Sequence, residues 1–534
     1  MQVIEKYKQE IEKAKKEGRN IIACMCNYEV KSLKHDVTEN DKVDLLDTTT
    51  RDGKSVYIRG ILYIMAKALN ELYPQAQLSV NYQLSNAMFC KIDNMEIKSE
   101  MLENIKNKMT EIIGRDIPIN KIKMNRQEAI EFYNNEKTLR GIAQIDNKQK
   151  DEVSLYYCED YYNYFFGVMP ISTGYTKIFD IIKYADGFLV RYPSSKTPNK
   201  LVKHEDNKKL AATLQEYNDI HKVLNINTLY KLNKAIDEGK ATDLILLSEA
   251  LHEKKMANIA DDISKRKNVK MVLIAGPSSS GKTTFAKRLG VELRLNGLKP
   301  VTISVDNYFV ERKDNPKDED GNYDFECLEA IDLELFNKHI KTLLEGGEIE
   351  VPTFDFKIGS KLYNGETMKL ASDEILVIEG IHCLNDKLTS SIPSEQKYKI
   401  YISDLTVLNI DYCNRISTTD TRLLRRIVRD NNFRGYSALH TLQAWHSVNR
   451  GEDKNIFPYQ ENCDAMFNSS LVYEISVLKK YAIPELEKIE NNCAEYAEAK
   501  RLITFLKYFK DIPVEDIPKN SLLREFIGDS IFYK

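Results

Sequence analysis

Features that would define an exported, membrane-spanning or metal-binding protein are missing from this 534-residue sequence. No apolar run approaches the roughly 20 residues that a bilayer-spanning helix needs, and the charged N-terminus has no secretory apolar segment. The nine cysteines are scattered without a Cys-x-x-Cys pair, which argues against a disulfide framework or a cysteine zinc site. A net charge of −3 excludes an overall basic field for nucleic acid. We therefore expect a reduced, cytoplasmic protein that does not enter a membrane.

The residue pattern divides the chain into segments of different character. Asp52-Gly53 indicates a turn, Ile61–Tyr73 has helical spacing and is stopped by Pro74, and Leu229 and Leu232 are spaced for one buried helical face. The expected segments are an N-terminal helix (1–20), a small β-rich unit (21–58), an α+β unit (59–199), a helical connector (200–268), an α/β unit with a parallel sheet (269–485) and a helical tail (486–534).

A glycine-rich motif follows a short apolar run in the C-terminal half. Residues 276–283 read Gly-Pro-Ser-Ser-Ser-Gly-Lys-Thr, between the strand-like Met271–Ala275 and a helical stretch. Backbone N–H groups of such a loop surround a polyphosphate, Lys282 reaches its terminal phosphates, and Thr283 helps to hold Mg²⁺. A glycine-serine turn that matches by chance is the alternative, which the flanking strand and helix disfavour. The expected phosphate contacts are Gly276, Ser278, Ser279, Ser280, Gly281, Lys282, Thr283 and Thr284.

Two acidic residues follow apolar strands of the same unit. Asp306 comes after Pro300–Val305, and Glu379 after Glu374–Ile378. Because ligands of open α/β sheets lie outside the carboxyl ends of the strands, both side chains are expected beside the phosphates. Asp306 could accept the proton of an attacking hydroxyl, and Glu379 could anchor Mg²⁺. The alternative for each is a helix-capping or loop carboxylate.

A cluster of arginines follows Asp420-Thr421 at helical spacing. Four like charges on one face repel each other unless an anion is near, and a triphosphate is such an anion. We expect a lid that closes over the phosphates, and a basic face paired with local acids is the alternative. The arginines are Arg422, Arg425, Arg426 and Arg429.

Together these motifs resemble the uridine kinase and phosphoribulokinase branch of P-loop kinases over residues 269 to about 485. The resemblance implies transfer of the ATP γ-phosphate, with Mg²⁺ held by Thr283, Glu379 and Asp306. It also implies Asp306 as general base, Glu326 as the holder of sugar hydroxyls, Tyr308 and Phe354 as the walls of the acceptor pocket, and Lys282, Arg422 and Arg425 as catalytic groups, with Arg422 also at the substrate. The further matching segments are 305–309, 323–326, 352–356, 378–380 and 420–426.

The sequence departs from that family at the acceptor. Gly359 stands where a pyrimidine-contacting histidine is usual, and Glu326 replaces a more usual aspartate. Phosphoryl transfer to a hydroxyl is therefore better supported than recognition of a pyrimidine. A nucleoside 5′-hydroxyl is the expected acceptor, and another sugar-like or polyol alcohol is the alternative.

The N-terminal half resembles the start of threonyl-tRNA synthetases. Residues 21–58 resemble a TGS domain of the β-grasp type, and residues 66–74, 78–92, 101–119 and 170–174 resemble the editing-type second domain. The histidine and cysteine positions of that domain fall on Arg59, Tyr63, Phe165 and Met169, so we expect its fold without its hydrolytic activity or zinc.

The fusion as a whole resembles bacterial nucleoside kinases, also called uridine kinase-like proteins. A different function, an RNA-associated regulatory NTPase, stays open through the N-terminal half. A tyrosine- and phenylalanine-rich run, 156–166, could stack bases, with core packing as the alternative. The identity of the acceptor, the nucleotide donor, the oligomeric state and the ligand of the synthetase-like half stay open.

Overall fold

The computed structural model describes residues 1–135, 152–318, 321–355 and 358–533. Phe356 and Lys357 of the expected acceptor segment, and residues 136–151 of the expected 59–199 unit, lie outside the described residues.

Helices are distributed over the whole described chain. They are α1 (Val3–Lys6), α2 (Lys8–Lys16), α3 (Arg51–Leu72), α4 (Ser99–Gly114), α5 (Arg126–Asn135), α6 (Lys208–Val223), α7 (Leu229–Asp237), α8 (Ala241–Lys265), α9 (Lys282–Leu295), α10 (Leu333–Leu344), α11 (Thr418–Arg429), α12 (Ala438–Asn455), α13 (Glu474–Leu486), α14 (Tyr496–Leu506) and α15 (Arg524–Ile527). In the described ranges, no helix combines the length and apolar character that crossing a bilayer requires.

Strands of the N-terminal half form three antiparallel sheets, with the orders β2-β1-β3, β4-β5-β10-β9 and β6-β7-β8. These strands are β1 (Ile21–Cys26), β2 (Glu29–Lys31), β3 (Val43–Asp47), β4 (Leu78–Leu84), β5 (Ala87–Ile92), β6 (Asn120–Asn125), β7 (Glu152–Cys158), β8 (Tyr161–Asn163), β9 (Asp180–Tyr184) and β10 (Gly187–Arg191). The alternation of these sheets with helices confirms the α+β class expected for this half.

A parallel five-stranded sheet forms the centre of the C-terminal half, in the order β12-β15-β11-β16-β17. Its strands are β11 (Met271–Ala275), β12 (Lys299–Ser304), β15 (Glu374–Glu379), β16 (Lys397–Ser403) and β17 (Ala465–Asn468). A separate hairpin pairs β13 (Glu348–Asp355) with β14 (Ser360–Lys369). The expected parallel sheet is confirmed, and β11 lies at its centre because its five residues are apolar and fully buried.

Helix α3 begins ten residues before the expected helical segment, so the predicted turn at Asp52-Gly53 is wrong. The side chain of Thr50 caps the helix by accepting a hydrogen bond from the Gly53 N–H. A Cβ on Gly53 would lie 2.0 Å from the carbonyl oxygen of Asp47. Glycine is therefore needed here for close packing of the helix against β3 rather than for a turn.

The predicted helical connector is helical, but it is more than a spacer. Leu229 and Leu232 of α7 are fully buried in the same apolar cluster as Val272 of β11 and Ile400 of β16. Helices α7 and α8 therefore complete one side of the parallel sheet, and the C-terminal core extends well before residue 269.

Candidate active site

The glycine-rich loop connects the end of β11 to the start of α9, as the motif predicts. A Cβ on Gly276 would lie 1.9 Å from the carbonyl oxygen of Ile402, and Gly281 has a φ of +87°, so both positions require glycine. Ser279 also has a positive φ, of 59°, which is strained for a residue with a side chain. The hydroxyls of Ser279 and Ser280 are buried without a hydrogen-bond partner among the described residues. A bound polyphosphate would supply acceptors for them.

Lys282 lies folded over the loop that precedes it. Its ammonium donates to the carbonyl oxygens of Gly276 at 3.0 Å and Pro277 at 3.2 Å. These neutral acceptors leave the positive charge uncompensated by a direct ion pair within the described residues, so an anion in the loop would attract it.

Asp306 and Glu379 meet at the carboxyl end of the sheet. Glu379 ends β15 beside Ser304, the last residue of β12, whose hydroxyl donates to its carboxylate at 3.1 Å. Burial and the nearby Asp306 raise the pKa of Glu379 to about 7, while Lys282 lowers it. Asp306 is open to the cleft yet closely surrounded by protein; desolvation raises its pKa, opposed by Lys282. The expected convergence of Lys282, Asp306 and Glu379 is present.

The donor set beside the loop fits a hard divalent cation. The Thr283 hydroxyl and the carboxylates of Asp306 and Glu379 are oxygen ligands of the kind that Mg²⁺ takes together with water and phosphate oxygens. The repulsion that raises the pKa of Glu379 would be relieved by such an ion. A group of three His, Cys, Asp or Glu side chains is not preassembled anywhere in the described ranges, so the set depends on the threonine.

Glu326 lies within reach of charges on both the arginine helix and the loop, since Arg426 and Lys282 both lower its pKa. Its side chain packs on Gly451 of α12, where an added Cβ would lie 2.4 Å from the Glu326 Cβ. Burial raises the pKa of Glu326 to about 7, with a further contribution from Glu452, while Arg426 lowers it. When protonated, a carboxyl can both donate to and accept from a hydroxyl.

Tyr308 and Phe354, the expected walls of the acceptor pocket, are buried side chains, and that role stays a prediction. Tyr308 is fully buried, and its hydroxyl lies 3.1 Å from His339 Nδ1. Phe354 is 6% exposed and packs on Phe309 with ring centroids 5.5 Å apart. Both rings belong to the apolar cluster beneath the cleft, because an aromatic side chain next to a buried strand contributes more by burial than by exposure.

Gly359 is fixed by its surroundings. It has a φ of +80°, and a Cβ there would lie 2.8 Å from the Cβ of Arg312. The backbone N–H of Arg312 also donates to the Gly359 carbonyl at 2.9 Å. A histidine at this position would clash with Arg312, so the departure from the uridine kinase pattern is built into the local packing.

Arg422 and Arg425 of α11 are paired with carboxylates of the chain itself, and the expected lid over the phosphates stays a prediction. Arg422 forms a two-pronged ion pair with Glu452, and Arg425 donates to Glu474 at 2.6 Å. Both arginines are at most 3% exposed. Because a buried guanidinium needs a partner, these two hold the architecture around the loop: Arg422 and Arg425 also approach the carbonyls of Ser278 and Ser279.

The outer arginines lie closer to the cleft. Arg426 donates to the hydroxyl of Ser278 at 2.9 Å, and Arg429 pairs with Asp430 at 2.9 Å. Arg429 and Arg434 both lower the pKa of Asp306, so their charges reach the expected base.

Two carboxylates that sequence reasoning missed contact the phosphate site directly. Glu452 accepts a hydrogen bond from the Ser278 N–H at 2.9 Å, and Glu525 accepts one from the Thr284 N–H at 3.0 Å. Their distance of 174 and 241 residues along the chain from these partners left no local pattern to find them by.

The synthetase-like positions of the N-terminal half come together in space. Tyr63 packs edge-on against Phe165 at 5.7 Å, and Arg59 donates through Nε to the carbonyl of Val168, next to Met169, at 2.8 Å. Tyr63, Phe165 and Met169 are buried. In the aromatic run, Tyr156, Tyr164 and Phe165 are buried and the rings of Tyr157 and Tyr162 stack on each other. The contacts favour packing over a base-stacking platform.

Residues 271–476 match the family model described as Phosphoribulokinase / Uridine kinase family, so the C-terminal half carries a domain similar to these kinases. A uridine kinase of Ureaplasma parvum is 27% identical over 195 residues, which cover 36% of this chain and 85% of that relative. A solved structure described as a possible uridine kinase from Bacillus stearothermophilus is 16% identical, covers 40% of this chain and 98% of its own, and has a TM-score of 0.27.

The N-terminal half has relatives of a different kind. A threonine–tRNA ligase of Desulforamulus reducens is 26% identical over 173 residues. The match covers 32% of this chain and only 27% of that ligase, so this chain shares about a quarter of the ligase. The TGS-like assignment of residues 21–58 stays a prediction.

Proposed function

We propose that this protein is an ATP- and Mg²⁺-dependent kinase that transfers the γ-phosphate to a hydroxyl of a small molecule, with the 5′-hydroxyl of a nucleoside as the first candidate. The observation that carries the proposal is the convergence of Lys282, Asp306 and Glu379 at one edge of the parallel sheet. The similarity of residues 271–476 to the Phosphoribulokinase / Uridine kinase family supports it.

Each of these residues has a role that its position allows. The loop amides and Lys282 bind and orient phosphate oxygens. Thr283 and Glu379 hold Mg²⁺, which when bound would neutralise charge on the transferring phosphoryl group. Asp306 accepts the proton of the acceptor hydroxyl, since it lies open to the cleft between Lys282 and the arginines 429 and 434. Glu326, whose pKa responds to Arg426, Lys282 and Asp306, would bind the acceptor's hydroxyls.

A second acceptor class, a sugar-like or polyol alcohol, is favoured by the contact between Gly359 and Arg312. That contact leaves no room for the histidine with which uridine kinases contact the pyrimidine.

We place the reaction in the cytoplasm, because eight of the nine cysteines are buried free thiols.

A direct test is incubation of the purified chain with ATP and Mg²⁺ and a panel of nucleosides, ribose derivatives and polyols, with mass-spectrometric detection of products. We expect acceptor-dependent ADP formation and a phosphorylated alcohol. ATP hydrolysis that needs no small acceptor and responds only to tRNA would instead support the regulatory NTPase suggested by the similarity to threonine–tRNA ligases.

A further inference from the structure

A cavity of about 720 Å³ lies between the N-terminal and C-terminal halves. One wall is formed by α3 and by residues 165–168, and the other by residues 413–420, α12 and α14. Its volume lies in the range of about 300–1,000 Å³ that small-molecule sites occupy. As far as the described ranges show its walls, they do not include the phosphate loop, so this is a separate space.

Two arginines line this cavity without a carboxylate partner in the described part of the chain. Arg59 makes one hydrogen bond, from Nε to the Val168 carbonyl, and Arg415 makes one, from Nη1 to the Ile416 carbonyl at 3.0 Å. A guanidinium has five N–H donors, so most of theirs are unused. Desolvation lowers the pKa of Arg59 to about 10 and also lowers the pKa of Arg415. Asp52 favours the charge of Arg59 and Asp420 that of Arg415, but neither arginine forms a direct ion pair with a carboxylate in the described part of the chain.

Two other arginines in the same walls do form ion pairs with carboxylates. Arg51 and Arg501 each pair with both Asp420 and Glu498. Arg501 lowers the pKa of Arg59, and Asp420 raises that of Arg415. Arg59 and Arg415 therefore lie on either side of the cluster formed by Arg51, Arg501, Asp420 and Glu498. Both carboxylates of this cluster are already paired with Arg51 and Arg501.

The aromatic side of the cavity adds a further unused donor. Trp445 is 2% exposed, lines the cavity, and has an Nε1–H without a hydrogen-bond partner among the described residues. Phe165 and Phe166 line the cavity as well. The guanidiniums of Arg422 and Arg426 lie 5.6 and 5.9 Å from the Trp445 ring, so the cavity borders the arginine helix of the candidate active site.

We propose that this cavity binds a phosphorylated small molecule with a ring, of about the size of a nucleoside monophosphate. Its phosphate accepts hydrogen bonds from Arg59 and Arg415, since guanidinium groups match phosphate oxygens in two-pronged geometry. Its ring contacts the surface formed by Phe165, Phe166 and Trp445. An anion matches the unused polar groups named here, because all of them are donors, and the carboxylate of Asp52 lies in the same lining.

Trp445 is the only tryptophan of the chain, so its fluorescence reports on the cavity. The full chain would be titrated with inorganic phosphate, ribose 5-phosphate and uridine monophosphate. We expect saturable fluorescence changes, with the tightest binding for uridine monophosphate. Arg59→Ala and Arg415→Ala should each weaken this binding by roughly tenfold or more, since a hydrogen bond to a charged group is lost. In Lys282→Ala the titration should be unchanged, because that change affects only the phosphate loop.

A stability measurement separates a binding role from a structural one. If Arg415 serves a ligand, ligand-free Arg415→Met should melt at or above the wild-type temperature, because an unpaired charge leaves the interior. The proposal would be overturned if Arg415→Met melted at a lower temperature than wild type, or if no saturable fluorescence change were seen. It would also be overturned if binding survived both arginine substitutions or were lost in Lys282→Ala. Equal affinity for inorganic phosphate and for uridine monophosphate would contradict the part of the proposal that gives the ligand a ring.

A second and independent observation concerns the C-terminal segment. Leu522 covers Gly281, where an added Cβ would lie 2.3 Å from the Leu522 Cδ2. Glu525 accepts from the Thr284 N–H, and the Tyr533 hydroxyl lies 3.1 Å from that of Thr284. Lys287 donates to the Phe532 carbonyl at 2.7 Å. The segment therefore covers the start of α9.

The covered groups are the ones that a polyphosphate would use. N–H groups at a helix start bind phosphate, and a carboxylate on the same N–H competes with it and repels it. Resting on the proposed nucleotide site, we infer that the Glu525 carboxylate and residues 528–533 form an autoinhibitory cap that ATP must displace, while Leu522, Leu523, Phe526 and Ile527 stay in the core. The energy of displacing the cap lowers the apparent affinity for ATP.

Calorimetry of ATP–Mg²⁺ binding tests the cap in the full chain. Glu525→Gln should bind ATP about 3- to 10-fold more tightly, since the repelling charge is gone, whereas the exposed Glu515→Gln should bind as wild type. Hydrogen exchange of residues 530–533 should accelerate on adding ATP. Unchanged or weaker ATP binding by Glu525→Gln would refute the cap while leaving the nucleotide site intact. Absence of ATP binding by every variant would instead contradict the proposed function.

Discussion

Arg422 and Glu452 form a two-pronged ion pair beneath the phosphate loop, and Glu452 simultaneously accepts the Ser278 N–H. Both side chains are at most 3% exposed. One carboxylate therefore holds the arginine helix, α12 and the loop together. The charge of Arg422 is compensated by Glu452 within the protein. Arg422 could bind a phosphate only if its ion pair with Glu452 were broken.

Glu452→Gln should destabilise the protein strongly, because it leaves the Arg422 guanidinium buried without a countercharge. Breaking one partner of a buried pair costs about 3–5 kcal/mol. Chemical denaturation at pH 7 measures the loss. Glu238→Gln, in an exposed pair with Lys240, is the control and should show no measurable change. Equal effects of the two substitutions would show that the buried pair is not the link inferred here.

Lys282→Ala should abolish phosphoryl transfer and leave the fold intact. Its ammonium makes two hydrogen bonds to loop carbonyls and none to the core, so little stability depends on it. Turnover should fall by about 10³-fold or more, because charge on the transferred group loses its main local cation. Rate measurements with the acceptor that the panel experiment yields, beside circular dichroism melting, check both parts. Wild-type turnover in this variant would remove the kinase proposal.

The elements around the loop could be predicted because their signals are local. The apolar run Met271–Ala275, the glycine motif and the acidic residues Asp306, after β12, and Glu379, at the end of β15, each follow from a few adjacent residues. Gly53 shows the limit of such signals. It was interpreted as a turn, whereas its lack of a Cβ serves packing against Asp47, which no neighbouring residue announces.

The pairing of Arg422 and Arg425 with distant carboxylates could not be predicted for the same reason. Spacing correctly placed Arg422 and Arg425 on a helix, but their partners Glu452 and Glu474 are supplied by later helices. Tyr308 likewise carries a family motif while its ring is directed into the core. Sequence identifies which residues carry chemistry, and tertiary packing decides which of them reach the cleft.

Gly359→Ala tests whether the acceptor loop is fixed by Arg312. Gly365→Ala is the matched control, since Gly365 has a similar φ of +76° and open space around its Cα. Both should lose about 1–2 kcal/mol of unfolding free energy from the left-handed backbone. Gly359→Ala should lose more, because its Cβ also meets Arg312. Thermal denaturation compares them, and equal losses would show that Arg312 simply moves aside.

Glu498 connects the two halves through Arg51 and Arg501 and provides a pH test. Despite the opposing effect of burial, these arginines lower its pKa to about 2 from an ordinary 4.5. A lowered folded-state pKa contributes stability above the unfolded value, and this contribution is lost as the pH falls from about 4.5 towards 2. Glu498→Gln should cost on the order of 2 kcal/mol at pH 7, and the difference from wild type should shrink across that window. Denaturation at several pH values measures it, with exposed Glu12→Gln as control; a difference constant with pH would contradict the pairing.

Asp306→Asn separates a kinase from an NTPase that only switches. The substitution keeps the size of the side chain but removes the base and one negative charge beside Glu379 and Lys282. A hydroxyl is a poor nucleophile at neutral pH, and a positioned base contributes about 10²–10⁴-fold, so kcat for transfer should fall by that factor. Affinity for ATP should change much less, because Lys282 and the loop amides still hold the phosphates.

The control is Asp314→Asn, a substitution of an exposed residue that follows Asp306 in the chain, and this variant should transfer phosphate at the wild-type rate. Steady-state kinetics with the identified acceptor, together with calorimetric ATP binding, distinguish the two effects. Near wild-type transfer by Asp306→Asn would return this residue to an outer ligand of Mg²⁺ or a loop cap, and the proton would have to leave by another path.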